Sequence, residues 1–202
     1  MRTEVSTPLE GRRLLVAVSG SIAAVKTPLL VSALVKAGAE VRCLVTPSAA
    51  KLVSPLALAS LSRHRCYTED CGWDASCSRP LHIELAEWAE LVLLAPLSAT
   101  SLSRWSQGSA DGLLASVLLA CECPVLAAIA MNTAMWSHPA VQRNWQVVQT
   151  FPGVVPLMPQ PGLLACDRLG DGRMADPMLI ELAASSLFSR GDAGPVANRD
   201  WS

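Results

Sequence analysis

Four short segments of the chain place hydroxyl or amide side chains where an apolar run gives way to a helical pattern. They are Ser19-Gly20-Ser21, Thr46-Pro47-Ser48, Pro96–Ser101 and Ile129–Trp136. Backbone N–H groups at the start of a helix bind phosphate without positively charged side chains. Gly20 stands alone rather than in a GxGxxG spacing, so a dinucleotide site is only weakly indicated. The pattern predicts a phosphate-bearing ligand.

Two side chains near these segments have both a structural and a chemical interpretation. Asn132 lies in AMNTAMW, directly after the apolar run that ends at Ile129. Its side chain could cap the next helix or bind a ligand. His82 stands between Leu81 and Ile83 and could be a packed histidine or an acid–base group that titrates near neutral pH. The residues alone favour the structural interpretation of each side chain and leave the chemical one open.

The cysteines favour reduced thiols over disulfides. The chain has 7 cysteines, an odd number, without a secretory signal pattern at its start. His64, Cys66, Cys71 and Cys77 lie close in sequence but lack the paired CxxC spacing of zinc sites. We therefore predict no metal.

Apolar runs alternate with helical patterns along the chain, which is typical of a parallel sheet covered by helices on both faces. Strands are predicted at 13–19, 40–45, 91–95, 125–129 and 154–157, and helices at 21–37, 99–106, 111–121, 133–148 and 178–188. A further helical stretch is expected after Thr46-Pro47-Ser48. We predict one domain over residues 12–189, with flexible tails at 1–11 and 190–202.

Composition excludes several classes of function. The net charge is −1 with scattered basic residues, which argues against nucleic acid as a partner. The apolar runs are far shorter than the ~20 residues of a membrane span, so a cytoplasmic protein is expected. Hydrophobic content of 51% against 16% charged residues hints that a cofactor or further copies of the chain cover apolar surface.

Read together, these segments resemble the flavin-containing cysteine decarboxylases, and within them the phosphopantothenoylcysteine decarboxylases of coenzyme A synthesis. The resemblance runs from about Leu14 to Leu187 and rests on four segments in order. They are SGSIAAVK (19–26), LHIELAEWAELVLLAPLSATSLSR (81–104), AMNTAMW (130–136) and LACDRLGDGRMADP (164–177). It implies a doubly wound, flavodoxin-like parallel sheet and assembly as trimers, or dodecamers built from trimers, with FMN between subunits.

The resemblance also implies roles for particular residues. FMN would be bound by Gly20, Ser21, Ile22, Thr46, Ser48, Ser98, Ala99, Thr100, Ser101 and Ala130. The substrate would contact Asn132, Met135, Ala165 and Cys166. In the implied chemistry FMN oxidises the cysteinyl thiol, the carboxylate leaves as carbon dioxide, and an enethiolate remains. His82 would be the active-site histidine and Asn132 would bind the carboxylate. Cys166 would reprotonate the enethiol while the reduced flavin returns its electrons, so that the product is a saturated aminothiol.

Several positions depart from the family's pattern. Glu87 precedes Trp88 where a basic residue is usual, and a carboxylate there should repel an anionic substrate. Thr100 replaces an Asn on the flavin side, Ile129 replaces a Pro, and Asp167 with Arg168 replaces Gly-Asp. The basic residues that could offset Glu87 are Lys26, Arg104, Arg168 and Arg173.

The predicted function is FMN-dependent decarboxylation of 4′-phosphopantothenoylcysteine to 4′-phosphopantetheine. Two alternatives stay open. One is oxidative decarboxylation of a peptide's C-terminal cysteine or another cysteine-derived acid, and the other is a non-catalytic, flavin-binding regulatory protein.

Overall fold

Six parallel strands form the central sheet of the computed structural model, which describes residues 7–73, 78–163 and 169–193. The strands are β1 (Arg13–Val18), β2 (Glu40–Val45), β3 (Cys66–Tyr67), β4 (Leu91–Leu97), β5 (Val125–Ile129) and β6 (Val154–Leu157). Their order across the sheet is β3-β2-β1-β4-β5-β6. Every residue of β4 and β5 is buried, which explains why these strands are continuous apolar runs.

The strand order places a topological switch point between β1 and β4. β1 pairs in parallel with β2 on one side and with β4 on the other, so the connections run outward in opposite directions. The five longer strands follow the flavodoxin-like order 2-1-3-4-5, and β3 adds a two-residue edge. The predicted doubly wound fold is therefore confirmed, and ligands of such sheets bind at the carboxyl ends beside this switch point.

Helices cover both faces of the sheet. They are α1 (Thr27–Lys36), α2 (Pro55–Ser62), α3 (Leu81–Trp88), α4 (Ala99–Ser106), α5 (Leu113–Ala120), α6 (Thr133–Trp136), α7 (Pro139–Gln149) and α8 (Pro177–Arg190). Residues of α3, α4, α5 and α7 join one apolar core, and residues of α1, α2 and α8 join the other. Leu9, ahead of β1, is fully buried in the second core. None of the described helices is long and apolar enough to cross a membrane.

Two predicted helices are interrupted by proline. The prediction of one helix over 133–148 is wrong, because α6 ends at Trp136 and α7 begins at Pro139. Proline has no N–H to donate and suits the first turn of a new helix, which His138 caps by accepting a hydrogen bond from the Ala140 N–H at 3.2 Å. Residues 21–37 likewise divide into a 3-10 turn (Ile22–Lys26) and α1, with Pro28 in the first turn of α1.

A second sheet was absent from the sequence prediction. β7 (Gln160–Leu163) and β8 (Leu169–Arg173) form an antiparallel hairpin within the segment rich in proline and glycine. The five residues between the two strands lie outside the described part of the chain. Glycine and proline disfavour strand prediction, but pairing between neighbouring segments outweighs that local preference here.

Candidate functional site

A cavity of about 560 Å³ opens at the carboxyl ends of β1, β4 and β5, beside the switch point. Its walls are Gly20, Ser21, Ile22, Ala23, Val25, Lys26, Ser98, Ala99, Thr100, Ala130, Met131, Asn132, Met135, Gly172, Arg173 and Met174. Three of the four segments singled out in the sequence contribute to it, together with β8 of the hairpin. This volume lies within the range of about 300–1,000 Å³ that small-molecule sites occupy.

The loop after β1 begins the cavity wall with a close approach between two backbones. A Cβ atom on Gly20 would lie 2.5 Å from the Cβ of Ser48, so only glycine fits against the loop that follows β2. Ser21 then caps the 3-10 turn, its Oγ accepting a hydrogen bond from the Ala23 N–H at 3.4 Å. Ser48 thus supports this loop from behind, although it does not line the cavity.

Ser19 joins the loop after β1 to the loop after β4. Its fully buried hydroxyl donates to the carbonyl oxygen of Pro96 at 2.8 Å and accepts from the Ser98 N–H at 2.8 Å. Thr27 adds a second link, since its hydroxyl donates to the Ala95 carbonyl at 3.3 Å. Buried hydrogen bonds of this kind hold the two loops at a fixed separation.

The loop after β4 places a helix start at the cavity. The Ser98 Oγ caps α4 by accepting a hydrogen bond from the Ser101 N–H at 3.4 Å. Ala99 and Thr100 line the cavity beside it, whereas Ser101 is buried against Ser98 and does not.

Asn132 caps a helix and also lines the cavity. Its Oδ1 accepts a hydrogen bond from the Ala134 N–H at 2.8 Å and caps α6. The same residue lines the cavity, together with Ala130 and the half-exposed Met135. Because the cap uses a side-chain oxygen that Asp also possesses, capping can be tested separately from ligand binding.

The β7–β8 hairpin lies directly against the loop after β5, which contains Met131 and Asn132. The Met131 N–H donates to the carbonyl oxygen of Gly172 at 3.0 Å. A Cβ on Gly172 would lie 2.1 Å from the Met131 oxygen, and one on Gly170 would lie within 2.3 Å of the Thr133 hydroxyl. The two glycines are required because any side chain would separate the hairpin from Asn132.

The comparisons with known proteins agree with this architecture. Residues 2–183 match the flavoprotein family model. The chain belongs to the flavoprotein family. The recognition of this family from the sequence is therefore confirmed.

Relatives in the family include a bifunctional coenzyme A biosynthesis protein, CoaBC, of Bacillus subtilis strain 168. It is 40% identical over 191 residues, which cover 95% of this chain and 47% of that protein. The chain thus spans about half the length of the curated relatives it matches.

Two solved structures are similar over most of this chain. A cysteine-to-serine variant of PPC decarboxylase, complexed with pantothenoylaminoethenethiol, is 33% identical with a TM-score of 0.83 and covers 89% of this chain and 100% of its own. The FMN binding protein AtHal3 is 33% identical with a TM-score of 0.80, covering 90% of this chain and 98% of its own.

Within this family fold, the predicted site residues fall into three groups. Those that line the cavity are Gly20, Ser21, Ile22, Ser98, Ala99, Thr100, Ala130, Asn132 and Met135. Those that lie elsewhere are Thr46, Ser48, Ser101 and His82. Ala165 and Cys166 lie outside the described residues, so their roles stay predictions.

Other lining residues had no predicted contact with the cavity. They are Ala23, Val25, Lys26, Met131, Gly172, Arg173 and Met174. Lys26 and Arg173 entered the sequence analysis only as possible offsets for Glu87. The available signals were Arg173 directly after Gly170-Asp171-Gly172 and Lys26 at the end of the segment that begins with Ser19-Gly20-Ser21.

His82 lies in the first turn of α3, half-buried and away from the cavity of its own chain. On the same helix Glu87 forms an ion pair with Arg79, at 2.5 Å between Oε1 and Nη2. The acidic residue that departs from the family's pattern therefore carries its own counter-charge.

The described cysteines form no metal site. Across residues 7–73, 78–163 and 169–193, no three His, Cys, Asp or Glu side chains converge. Burial raises the pKa of the Cys66 thiol to about 12, with the nearby Cys71 adding to the effect. Burial also acts to raise the pKa of Cys71, but hydrogen bonds from Thr68 and Arg65 outweigh it and leave that pKa below the ordinary value.

Proposed function

We propose that this chain is an FMN-dependent decarboxylase that converts 4′-phosphopantothenoylcysteine to 4′-phosphopantetheine in coenzyme A biosynthesis. The observation that carries the proposal is that Asn132 and the loops after β1 and β4 line one cavity. Relatives whose names refer to coenzyme A biosynthesis and PPC decarboxylase support the choice of substrate.

The residues of the cavity fit a flavin mononucleotide. The 3-10 turn after Ser21 and helix α4 after Ser98 both begin at the cavity, and the first-turn N–H groups that these caps do not engage would bind a phosphate. Ile22, Val25 and Met131 supply apolar surface for a flat ring system. When bound, FMN would supply an electron sink: two electrons from the substrate thiol would pass to it so that the neighbouring carboxylate can leave, and they would return to the enethiol to give the saturated product.

The chain's own residues would orient the substrate and manage its protons. The amide of Asn132 would hold the departing carboxylate without an ion pair, which avoids over-stabilising the ground state. His82 would serve as the acid–base group. Cys166, which lies between β7 and β8 in the sequence, would protonate the enethiol that remains.

His82 does not line the cavity of its own chain, so another copy of the chain would have to contribute it. We therefore propose that the active site lies between subunits of a homo-oligomer, of which a trimer is the simplest form. Ile22 and Val25, on the cavity wall, and the neighbouring Leu29 support this assembly, because all three are more than half exposed. Apolar side chains beside a ligand site are expected to be covered by a partner surface.

The primary test is to purify the protein, record its flavin spectrum, supply 4′-phosphopantothenoylcysteine and follow carbon dioxide release. A yellow protein that releases carbon dioxide and yields 4′-phosphopantetheine is expected. Bound FMN without turnover would instead favour a regulatory flavin-binding protein, and a colourless protein that cannot be reconstituted would overturn the flavin proposal.

Two variants separate catalytic from structural roles. Asn132→Asp keeps the capping oxygen but adds negative charge, so it should fold normally and lose turnover. His82→Asn should also be inactive. If the site lies between subunits, mixing and reassembling the two inactive variants should restore activity. Some sites of the mixed oligomer would then combine an unaltered Asn132 from one subunit with an unaltered His82 from another. Absence of rescue from mixed oligomers would contradict the shared site.

A further inference from the structure

The charged side chains on the cavity wall have one sign. Lys26 and Arg173 line the cavity, and none of its described lining residues is an Asp or Glu. The rest of the wall is apolar or uncharged. Two cations within a largely apolar wall attract an anion more strongly than they would at an open surface, because less water screens them.

Neither cation is strongly neutralised by the protein. Across the described residues, no carboxylate oxygen lies within 4.0 Å of the Lys26 ammonium group. Arg173 Nη2 lies 3.8 Å from Asp176 Oδ2, a distance too long for a hydrogen bond, and both side chains are partly exposed. Asp176 already accepts a hydrogen bond from the Met178 N–H as the cap of α8. Both cations therefore remain available to a ligand.

The fold positions both side chains. A Cβ on Gly162 would lie 3.3 Å from the Cδ and Nη1 atoms of Arg173. Because Gly162 has no side chain, the Arg173 side chain packs closely across the hairpin at this position of β7. Lys26 ends the 3-10 turn, directly before Thr27, whose hydroxyl is bonded to the Ala95 carbonyl. The two cations thus extend from separate elements to one cavity.

We propose that Lys26 and Arg173 bind the phosphate group of the substrate, and that they select a phosphorylated cysteinyl substrate over its unphosphorylated form. This inference rests on the proposed function and identifies its specificity residues. Of the other basic candidates, Arg104 is paired with Asp111 at 3.1 Å and does not line the cavity, and Arg168 is outside the described residues.

The test compares Lys26→Gln and Arg173→Gln on two substrates, 4′-phosphopantothenoylcysteine and pantothenoylcysteine. Each variant should lower kcat/KM for the phosphorylated substrate by about 10-fold or more, the effect of losing one charge-assisted hydrogen bond. The value for pantothenoylcysteine should change by less than about 2-fold. Arg173→Lys should recover part of the loss, because it restores charge but not the bidentate geometry.

Matched controls test whether any loss of charge has the same effect. Lys36→Gln removes an exposed lysine at the other end of α1, and Arg104→Gln removes an exposed ion-paired arginine. Both should retain wild-type kcat/KM with both substrates. Equal losses with both substrates in the Lys26 or Arg173 variants would overturn the proposal, since they would indicate a general structural role.

The phosphate of FMN is the other possible source of the anion. Binding of FMN and of riboflavin to the apoprotein, followed by fluorescence quenching, separates the two. We expect Lys26→Gln and Arg173→Gln to bind both flavins as wild type does, whereas selective weakening of FMN binding would assign the cations to the cofactor. If wild type binds but does not turn over the substrates, the proposed function fails. Calorimetric affinities of the two substrates for holoprotein would still test phosphate selection.

Discussion

Gly172→Ala tests whether the docking of the hairpin positions the site. The new Cβ would lie 2.1 Å from the Met131 carbonyl oxygen, far inside normal contact, and that atom belongs to the backbone and cannot rotate away. The hairpin must therefore move, and the hydrogen bond from the Met131 N–H to Gly172 would break. Met131 is 8% exposed, so its donor would lose a partner without gaining free access to water.

Two costs make up the expected effect. An unsatisfied buried donor costs about 1–3 kcal/mol. The backbone of Gly172, at φ +153°, costs a further ~1–3 kcal/mol for a residue with a side chain. The sum is about 2–6 kcal/mol, and even its lower end shifts the docked hairpin's equilibrium by about 30-fold.

Gly108→Ala is the control for placing a side chain at a positive φ outside the hairpin. Gly108 has φ +68°, but nothing lies within 4 Å of the position of its Cβ. Gly108→Ala should therefore retain wild-type kcat/KM, whereas Gly172→Ala should lose about 30-fold or more, because both of its costs act on hairpin docking. The melting temperature should change little more than in the control, because β7 and β8 form a sheet separate from the six-stranded one.

Amide hydrogen exchange measures the docking directly. The Met131 amide should exchange much faster in Gly172→Ala and remain protected in Gly108→Ala. Unchanged exchange at Met131, or wild-type kcat/KM in Gly172→Ala, would refute the reasoning. Faster exchange with full activity would show that the hairpin docks but does not control turnover.

The remaining predictions concern stability and thiol reactivity. Burial opposes ionisation of Glu90, but the N–H of Arg13 at 3.0 Å and the nearby guanidinium groups outweigh it and lower the pKa of Glu90. Glu90→Gln should therefore destabilise the protein at neutral pH. The difference in unfolding free energy between wild type and variant should shrink as the pH falls through the pKa of Glu90 in the folded protein. Iodoacetamide at about pH 8 should label Cys71 before Cys66, and equal labelling rates would contradict the pKa directions. Leu93→Ala, at a fully buried position, should cost about 2.7–5 kcal/mol in urea unfolding.

The sequence indicated most of the central sheet because its strands carry a local signal. The bounds of β2, β5 and β6 are the same in the structure as in the prediction. β5 is buried along its whole length and every one of its residues is apolar, whereas β2 carries the half-buried Glu40 and Arg42 and β6 is only partly buried. The edge strand β3 and the hairpin lacked that signal. β3 has only two residues, and the hairpin's glycines are explained by contacts with Met131 and Thr133 that are remote in sequence.

Asn132 illustrates how far the sequence determined the site. Its place after a buried strand predicted either a cap or a ligand contact, and the structure has the capping bond and the cavity wall at the same residue. Glu87 suggested repulsion of an anionic substrate, because the sequence could not reveal its pairing with Arg79 eight positions earlier. Arg79 precedes α3, and a pairing eight positions apart depends on how the chain folds there rather than on a local sequence pattern.

The sequence by itself therefore determined the main sheet, the family resemblance and three of the loops that line the cavity, because each depends on short segments with their own pattern. Only the tertiary structure decided which residues share the cavity. It placed Lys26 and Arg173 on one wall and left Ser48, Ser101 and His82 off it. The physical reason is that a site forms where separate elements converge, and that convergence is set by strand order and close glycine contacts rather than by any one segment.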